Sequence, residues 1–146
     1  MPGPKLDQVN IVSADLDASV AFYRRLGIDM REPARSPSGA PFHAGAPVRE
    51  GAVLEADSAP FARLWCEGWA SEAELAGRVV IGIRLESRAE VDRLYAEVTA
   101  AGHNGLQPPY DAFWGARYAV VEDPDGIAVG LMSPRDGPHG PPPPIE

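Results

Sequence analysis

An α+β fold is predicted, in which two tandem βαβββ modules form a cupped mixed sheet with helices on its outer face. Three observations carry that expectation. The chain from Gln8 onward repeats its pattern from Val80 onward, an offset of 72 positions. In both copies a strand-like alternation gives way to helix-like spacing. Near the end of the second copy, Asp123-Pro124-Asp125-Gly126 marks a tight hairpin, with proline fixing φ and glycine supplying positive φ.

The elements follow in order. Val9 and Ile11 alternate with Gln8 and Asn10, and Ile81, Ile83 and Leu85 alternate with Val80, Gly82 and Arg84, so each copy opens on a strand with one apolar face. Ser19, Phe22, Tyr23 and Leu26 then correspond to Val91, Leu94, Tyr95 and Val98, the i, i+3, i+4, i+7 stripe of a helix with one buried side. Asp15 and Ser87 precede these helices, where a short side-chain oxygen accepts first-turn amides. Gly27 and Gly102 stand at the helix ends, ready for the left-handed conformation. Residues 31–47, rich in Pro, Gly, Ala and Ser, read as a long loop around a short strand near Phe42. Further strands are expected at 51–57, 115–122 and 127–132.

These elements divide the chain into one domain over residues 1–133, with a first module at about 5–57, a linker at about 58–77 and a second module at about 78–133. Residues 134–146 form a Pro-rich tail, expected to be flexible because proline has no amide donor. A chain of 146 residues suffices for one sizeable core. It has no apolar run near the ~20 residues of a membrane span. Its N-terminus lacks an apolar export segment, so a cytoplasmic location is expected. The net charge of −8 disfavours nucleic acid and favours cationic ligands. Cys66, the single cysteine, forms no intrachain disulfide and reads as a small packed residue.

Two such modules leave the face opposite their helices to form a cup, where a ligand would sit. Alternation points Gln8, Asn10 and Val12 into it from the first strand, and Val53, Glu55 and Asp57 from the fourth. From the second module come Val80, Gly82 and Arg84, then Ala128, Gly130 and Met132.

Residues 9–16 (VNIVSADL), 21–27 (AFYRRLG) and 121–126 (VEDPDG) carry a family resemblance. The chain resembles the vicinal oxygen chelate superfamily, which includes glyoxalases, bleomycin-resistance proteins and extradiol dioxygenases, over about residues 5–133. In character it is similar to the ligand-binding members that use no metal. Metal-using members take four ligands from the first and fourth strands of the modules, and those positions here are Gln8, Glu55, Val80 and Gly130. Gln8 and Glu55 match the family pattern; Val80 and Gly130 stand where His and Glu are usual and have no donor atom. No metal or other cofactor is therefore expected. The alternative is a divalent metal on Gln8 and Glu55, completed by His43, Asp57 or His103 from outside the usual positions. Gln8 and Glu55 would otherwise hydrogen-bond within a wet cavity or hold a polar part of a ligand, and Glu55 could serve as a base. Arg84 reads equally as a solvated residue, a partner for a cup carboxylate or a ligand contact.

Large rings stand outside the helix stripes: Phe42, Phe61, Trp65, Trp69, Tyr110, Phe113 and Trp114, all in or beside expected loops. They offer rigid area for planar ligands and electron-rich faces for cations. Trp65 and Trp69, four apart, fit a short helix over the cup, and Pro108-Pro109-Tyr110-Asp111 would form a wall without regular pairing. The expected ligand contacts are these rings other than Phe61, together with Gln8, Asn10, His43, Glu55, Arg84 and Met132; no catalytic residue is assigned. The resulting expectation is sequestration of a hydrophobic or cationic drug-like molecule. The resemblance implies a homodimer with composite pockets; the charge and the lack of an apolar span exclude nucleic acid and membrane as expected partners. The competing readings are a glyoxalase-like lyase or isomerase, or a dioxygenase, using Gln8 and Glu55, and a scaffold that has lost ligand binding.

Overall fold

The computed structural model describes residues 8–47, 52–67 and 79–144. The chain divides into two units, residues 1–73 and 74–146. In the first, β1 (Gln8–Ser13), α1 (Leu16–Arg25), β2 (Ala34–Arg35), β3 (Pro41–Gly45) and β4 (Val53–Ser58) are followed by α2 (Ala59–Trp65). The second contains β5 (Val80–Arg84), α3 (Arg88–Ala100), β6 (Gly105–Asp111), β7 (Arg117–Glu122) and β8 (Ala128–Met132). Each unit is thus a βαβββ module, and the first carries one extra helix. The sheet orders are β1-β4-β3-β2 and β5-β8-β7-β6, with β1/β4 and β5/β8 parallel and the other pairs antiparallel.

The repeat expected at Gln8 and Val80 is the start of β1 and of β5. Helix starts obey the local chemistry: the Asp15 carboxylate accepts from the Ala18 amide at 3.1 Å and the Ser87 hydroxyl from the Glu90 amide at 3.2 Å. Gly27 and Gly102 end the helices at φ 94° and 100°. Asp123 Oδ1 accepts the amides of Asp125 and Ile127, which holds the β7–β8 turn.

One face of each sheet is committed to a helix. In the first unit Leu16, Val20, Phe22 and Tyr23 of α1 are buried with Ile11, Ala44 and Ala56, and the hydroxyls of Ser13 and Ser19 meet at 2.6 Å between strand and helix. In the second, Val91, Leu94 and Val98 of α3 are buried with Ala119, Val121, Val129 and Leu131. Tyr95, expected in that stripe, is only half-buried. Its ring lies over Gly105, where an added Cβ would fall 2.1 Å from the Tyr95 hydroxyl oxygen.

Four other expectations change. Residues 31–47 contain β2 and β3, paired through a turn at Gly39 with φ 89°, rather than one short strand in a loop. The linker is helical at its start because Ser58 caps α2, its hydroxyl accepting the Phe61 amide, with proline in the first turn. Tyr110 and Asp111 do pair, with Tyr118 and Arg117. β6 is an edge strand, and the ladder shifts register between Gln107 and Tyr110, where Pro108 and Pro109 lack amides. The tail is docked at its beginning: the amides of Gly137 and Gly140 donate to the carbonyls of Gly115 and Phe113 at 2.9 and 2.8 Å, pairs that the neighbouring prolines could not make. Among the described residues, no helix is long and apolar enough to cross a membrane.

Leu94→Ala is expected to lower stability by about 2–5 kcal/mol in chemical denaturation, because it empties a buried helix–sheet position. Tyr95→Ala should cost less than Leu94→Ala; the reverse order would contradict this placement of the α3 stripe.

Candidate ligand-binding site

On the first sheet, the face opposite α1 is polar. The β1/β4 register sets Gln8 against Val53, Asn10 against Glu55 and Val12 against Asp57. With its amide turned so that nitrogen faces the carboxylate, Gln8 donates to both oxygens of Glu55, at 2.7 and 3.2 Å. Two residues further along β4, Asp57 is buried and draws in three donors: Asn10 Nδ2 at 2.9 Å, His43 Nδ1 at 2.5 Å and Trp65 Nε1 at 3.1 Å. Helix α2 brings Trp65 there and sets Phe61 against Phe42 and His43, with ring centroids 5.0 and 6.2 Å apart. Asn10 spends its amino group on Asp57, and its Oδ1 is buried without a partner among the described residues.

The corresponding face of the second sheet is aromatic. Tyr118 of β7 lies over Gly130 of β8: a Cβ on Gly130 would sit 2.5 Å from the Tyr118 hydroxyl oxygen. Trp114 meets Tyr118, Phe113 and Tyr110 edge-on at centroid distances of 5.3, 5.1 and 6.4 Å, and its indole N–H donates to the Met132 sulfur at 3.3 Å. Such edge-to-face contacts match the positive rim of one ring to the negative face of another. Tyr110 and Phe113 remain partly exposed. The backbone of Trp114 forms an antiparallel bridge with His139 of the tail. Arg88 fixes the surrounding loop through Asp111, Asp136 and the Gly115 carbonyl, while Arg117 reaches Asp92 and Asp111. Arg88 holds the Asp111 carboxyl below the usual carboxylate range. Burial, reinforced by Tyr110, pushes the Tyr118 phenol up.

Most expected contacts therefore gather in two places. Gln8 joins Glu55, and Asn10, His43 and Trp65 join Asp57, with Phe42 reached through Phe61. Tyr110, Phe113, Trp114 and Met132 form the second group. The rings are not all in loops: Phe42 lies on β3, Phe61 and Trp65 on α2 and Tyr110 on β6. Arg84 is exposed on β5 and has no hydrogen-bond or ion-pair partner among the described residues. Trp69 lies outside the described residues. Two residues central to these groups are absent from the expected ligand contacts. Asp57 was placed on the right face but not recognised as a hub, and Tyr118 could have been found by carrying the alternation of Val120 back along β7.

The four family metal positions do not make a donor set. Gln8 and Glu55 satisfy one another, Val80 is 52% exposed with an aliphatic side chain, and Tyr118 occupies the space beside Gly130. Among the described residues, no three His, Cys, Asp or Glu side chains are grouped to hold an ion. A sequence profile of the Glyoxalase/Bleomycin resistance protein/Dioxygenase superfamily matches residues 5–131. The chain belongs to that superfamily. A glyoxalase/bleomycin resistance protein/dioxygenase from Nocardioides is 27% identical, with a TM-score of 0.67 over 100% of this chain and 91% of that one. A glyoxalase-related enzyme from Fulvimarina pelagi is similar in fold, at 21% identity and a TM-score of 0.70 over 95% of this chain and 99% of that one. So is lactoylglutathione lyase from Agrobacterium tumefaciens, at 18% identity and 0.64 over 92% and 97%. No curated protein matches the chain in sequence.

Within this member of the superfamily, Tyr118 should ionise above the ordinary tyrosine value of about 10. A raised phenol favours the protonated folded state, so its contribution to stability is present below the unfolded value and is lost as pH rises through the folded one. Ultraviolet phenolate titration checks this: one transition of the folded protein above the ordinary tyrosine range should disappear in Tyr118→Phe. Persistence of that transition would assign it elsewhere.

Proposed function

We propose that this chain is a small-molecule-binding member of the superfamily that sequesters a hydrophobic or cationic drug-like compound without using a metal. The single observation that carries this reading is the group of rings Tyr110, Phe113, Trp114 and Tyr118, held edge to face on the side of the second sheet away from α3. Aromatic faces arranged in this way offer stacking area at little entropic cost and attract cations. The net charge of −8 adds to the attraction for a cation. Binding would protect by stoichiometry, since a held toxin cannot reach its target, and catalytic groups are unnecessary for that.

We further propose that the protein acts in the cytoplasm as a homodimer, as the family resemblance implies. Support for association comes from the edge strand β5, where Val80, and Val79 just before it, expose apolar side chains. The contact between Gln8 and Glu55 favours a second reading, a metal-dependent lyase, isomerase or dioxygenase built on that pair. Val80 and Gly130 supply no donor, so that reading needs His43, Asp57 or His103 to complete the site.

Titration of the protein with planar cationic aromatic compounds, followed by tryptophan fluorescence, tests the preferred reading. Saturable quenching is expected, and Trp114→Ala should weaken affinity by ~1–3 kcal/mol, about 5- to 150-fold, while the fold survives. Unchanged affinity in Trp114→Ala would remove the aromatic group from the binding site.

A further inference from the structure

Asp57 is placed as an orienting group needs to be. Its side chain is only 3% exposed, and donors reach it from three elements: Asn10 on β1, His43 on β3 and Trp65 on α2. A carboxylate withdrawn from water needs such partners to offset its lost hydration. The division of labour between its oxygens is informative. Oδ2 receives the Asn10 amino group and the Trp65 indole N–H, both able only to donate, which leaves Oδ1 to His43 alone.

The Nδ1···Oδ1 contact of 2.5 Å requires a hydrogen between the two atoms, and an acceptor-only carboxylate obtains it from the ring. A neutral His43 is then the Nδ1–H tautomer, with its lone pair on Nε2. The ring is not sealed in: the His43 side chain is 38% exposed, against 3% for Asp57. It shares the sheet face opposite α1 with Asp57, its register partner across β3 and β4. Glu55, the next carboxylate on that face of β4, is engaged by Gln8, so Asp57 is the acidic group that faces the imidazole.

We propose that His43 is a proton acceptor toward a ligand held on the face of the first sheet opposite α1, with Asp57 as its positioning residue. The ligand class is a molecule that brings a weakly acidic proton to Nε2. In the transfer, the ligand X–H bond breaks and leaves its electron pair on X, an Nε2–H bond forms, and Asp57 stabilises the resulting imidazolium; reprotonation of X returns the proton. Phe61, packed edge-on to the His43 ring, and Trp65, bonded to Asp57, hold the pair in one orientation. This proposal goes beyond sequestration and does not rest on it, because its tests need no ligand.

The first test reads the tautomer directly from long-range proton–nitrogen NMR spectra of the whole chain. Only three histidines are present, and loss of one set of signals in His43→Gln assigns the resonance. The expected result for the neutral ring is the Nδ1-protonated form; a neutral His43 protonated at Nε2 would overturn the proposal. The second test uses diethyl pyrocarbonate, which transfers an ethoxycarbonyl group to an unprotonated imidazole nitrogen and releases ethyl hydrogen carbonate. Asp57→Asn should slow the labelling of His43 by about tenfold or more, because an amide at that position favours the other tautomer. A cooperative unfolding transition like the parent's reports that the variant is folded, and His103 and His139, in the second unit, should be labelled at the parent rate. Labelling of His43 at the parent rate in folded Asp57→Asn would overturn the proposal; if that variant does not fold, the tautomer of the parent protein decides.

Discussion

Side-chain alternation along the strands is the constraint on which the rest of this structure depends. Each sheet gives one face to a helix, and the buried residues on that face leave no freedom in register. A slip of one residue would carry Ile11 and Ser13 away from α1, or Val129 and Leu131 away from α3, and would bring polar groups into the core. The opposite faces inherit whatever residues remain. Gln8, Asn10, Glu55 and Asp57 are therefore held together for the same reason that Ile11 and Ala56 are buried.

The two units share this plan but not its chemistry. On the first sheet the face opposite α1 collects an amide–carboxylate pair and a buried carboxylate with three donors. On the second, the corresponding positions bear Val80, Gly82, Gly130 and Met132, and the space beside Gly130 is taken by a tyrosine ring. Glycine at position 130 does more than remove a ligand atom. It allows Tyr118 to lie close to the strand and to become part of the ring group that includes Trp114. Gly115 has a parallel role in the adjoining loop, where φ of 90° and the close approach of the Gly137 carbonyl exclude a side chain and let the tail dock.

What was legible in the sequence was local. The caps at Asp15 and Ser87 and the turns at Gly27, Gly102 and Gly126 depend on neighbours a few residues away, and each stands where the sequence places it. Less legible features depended on distant partners. Tyr95 has the spacing of a core residue, but it packs on Gly105 across the helix–strand connection. The pairing of Tyr110 depends on β7 beside it, and docking of the tail depends on two glycine amides amid prolines. Asp57 illustrates the difficulty most clearly. Its partners Asn10, His43 and Trp65 are 47, 14 and 8 residues away, so its face was predictable and its role as a hub was not.

The central claim is that donor atoms are missing where this superfamily resemblance calls for metal ligands, and the proposal of metal-free small-molecule binding rests on it. Isothermal calorimetry of chelator-stripped protein with zinc, nickel, cobalt and manganese measures that deficit directly. No saturable one-to-one binding is predicted for any of the four. Tight stoichiometric uptake of any of them, abolished by Glu55→Ala, would contradict the account.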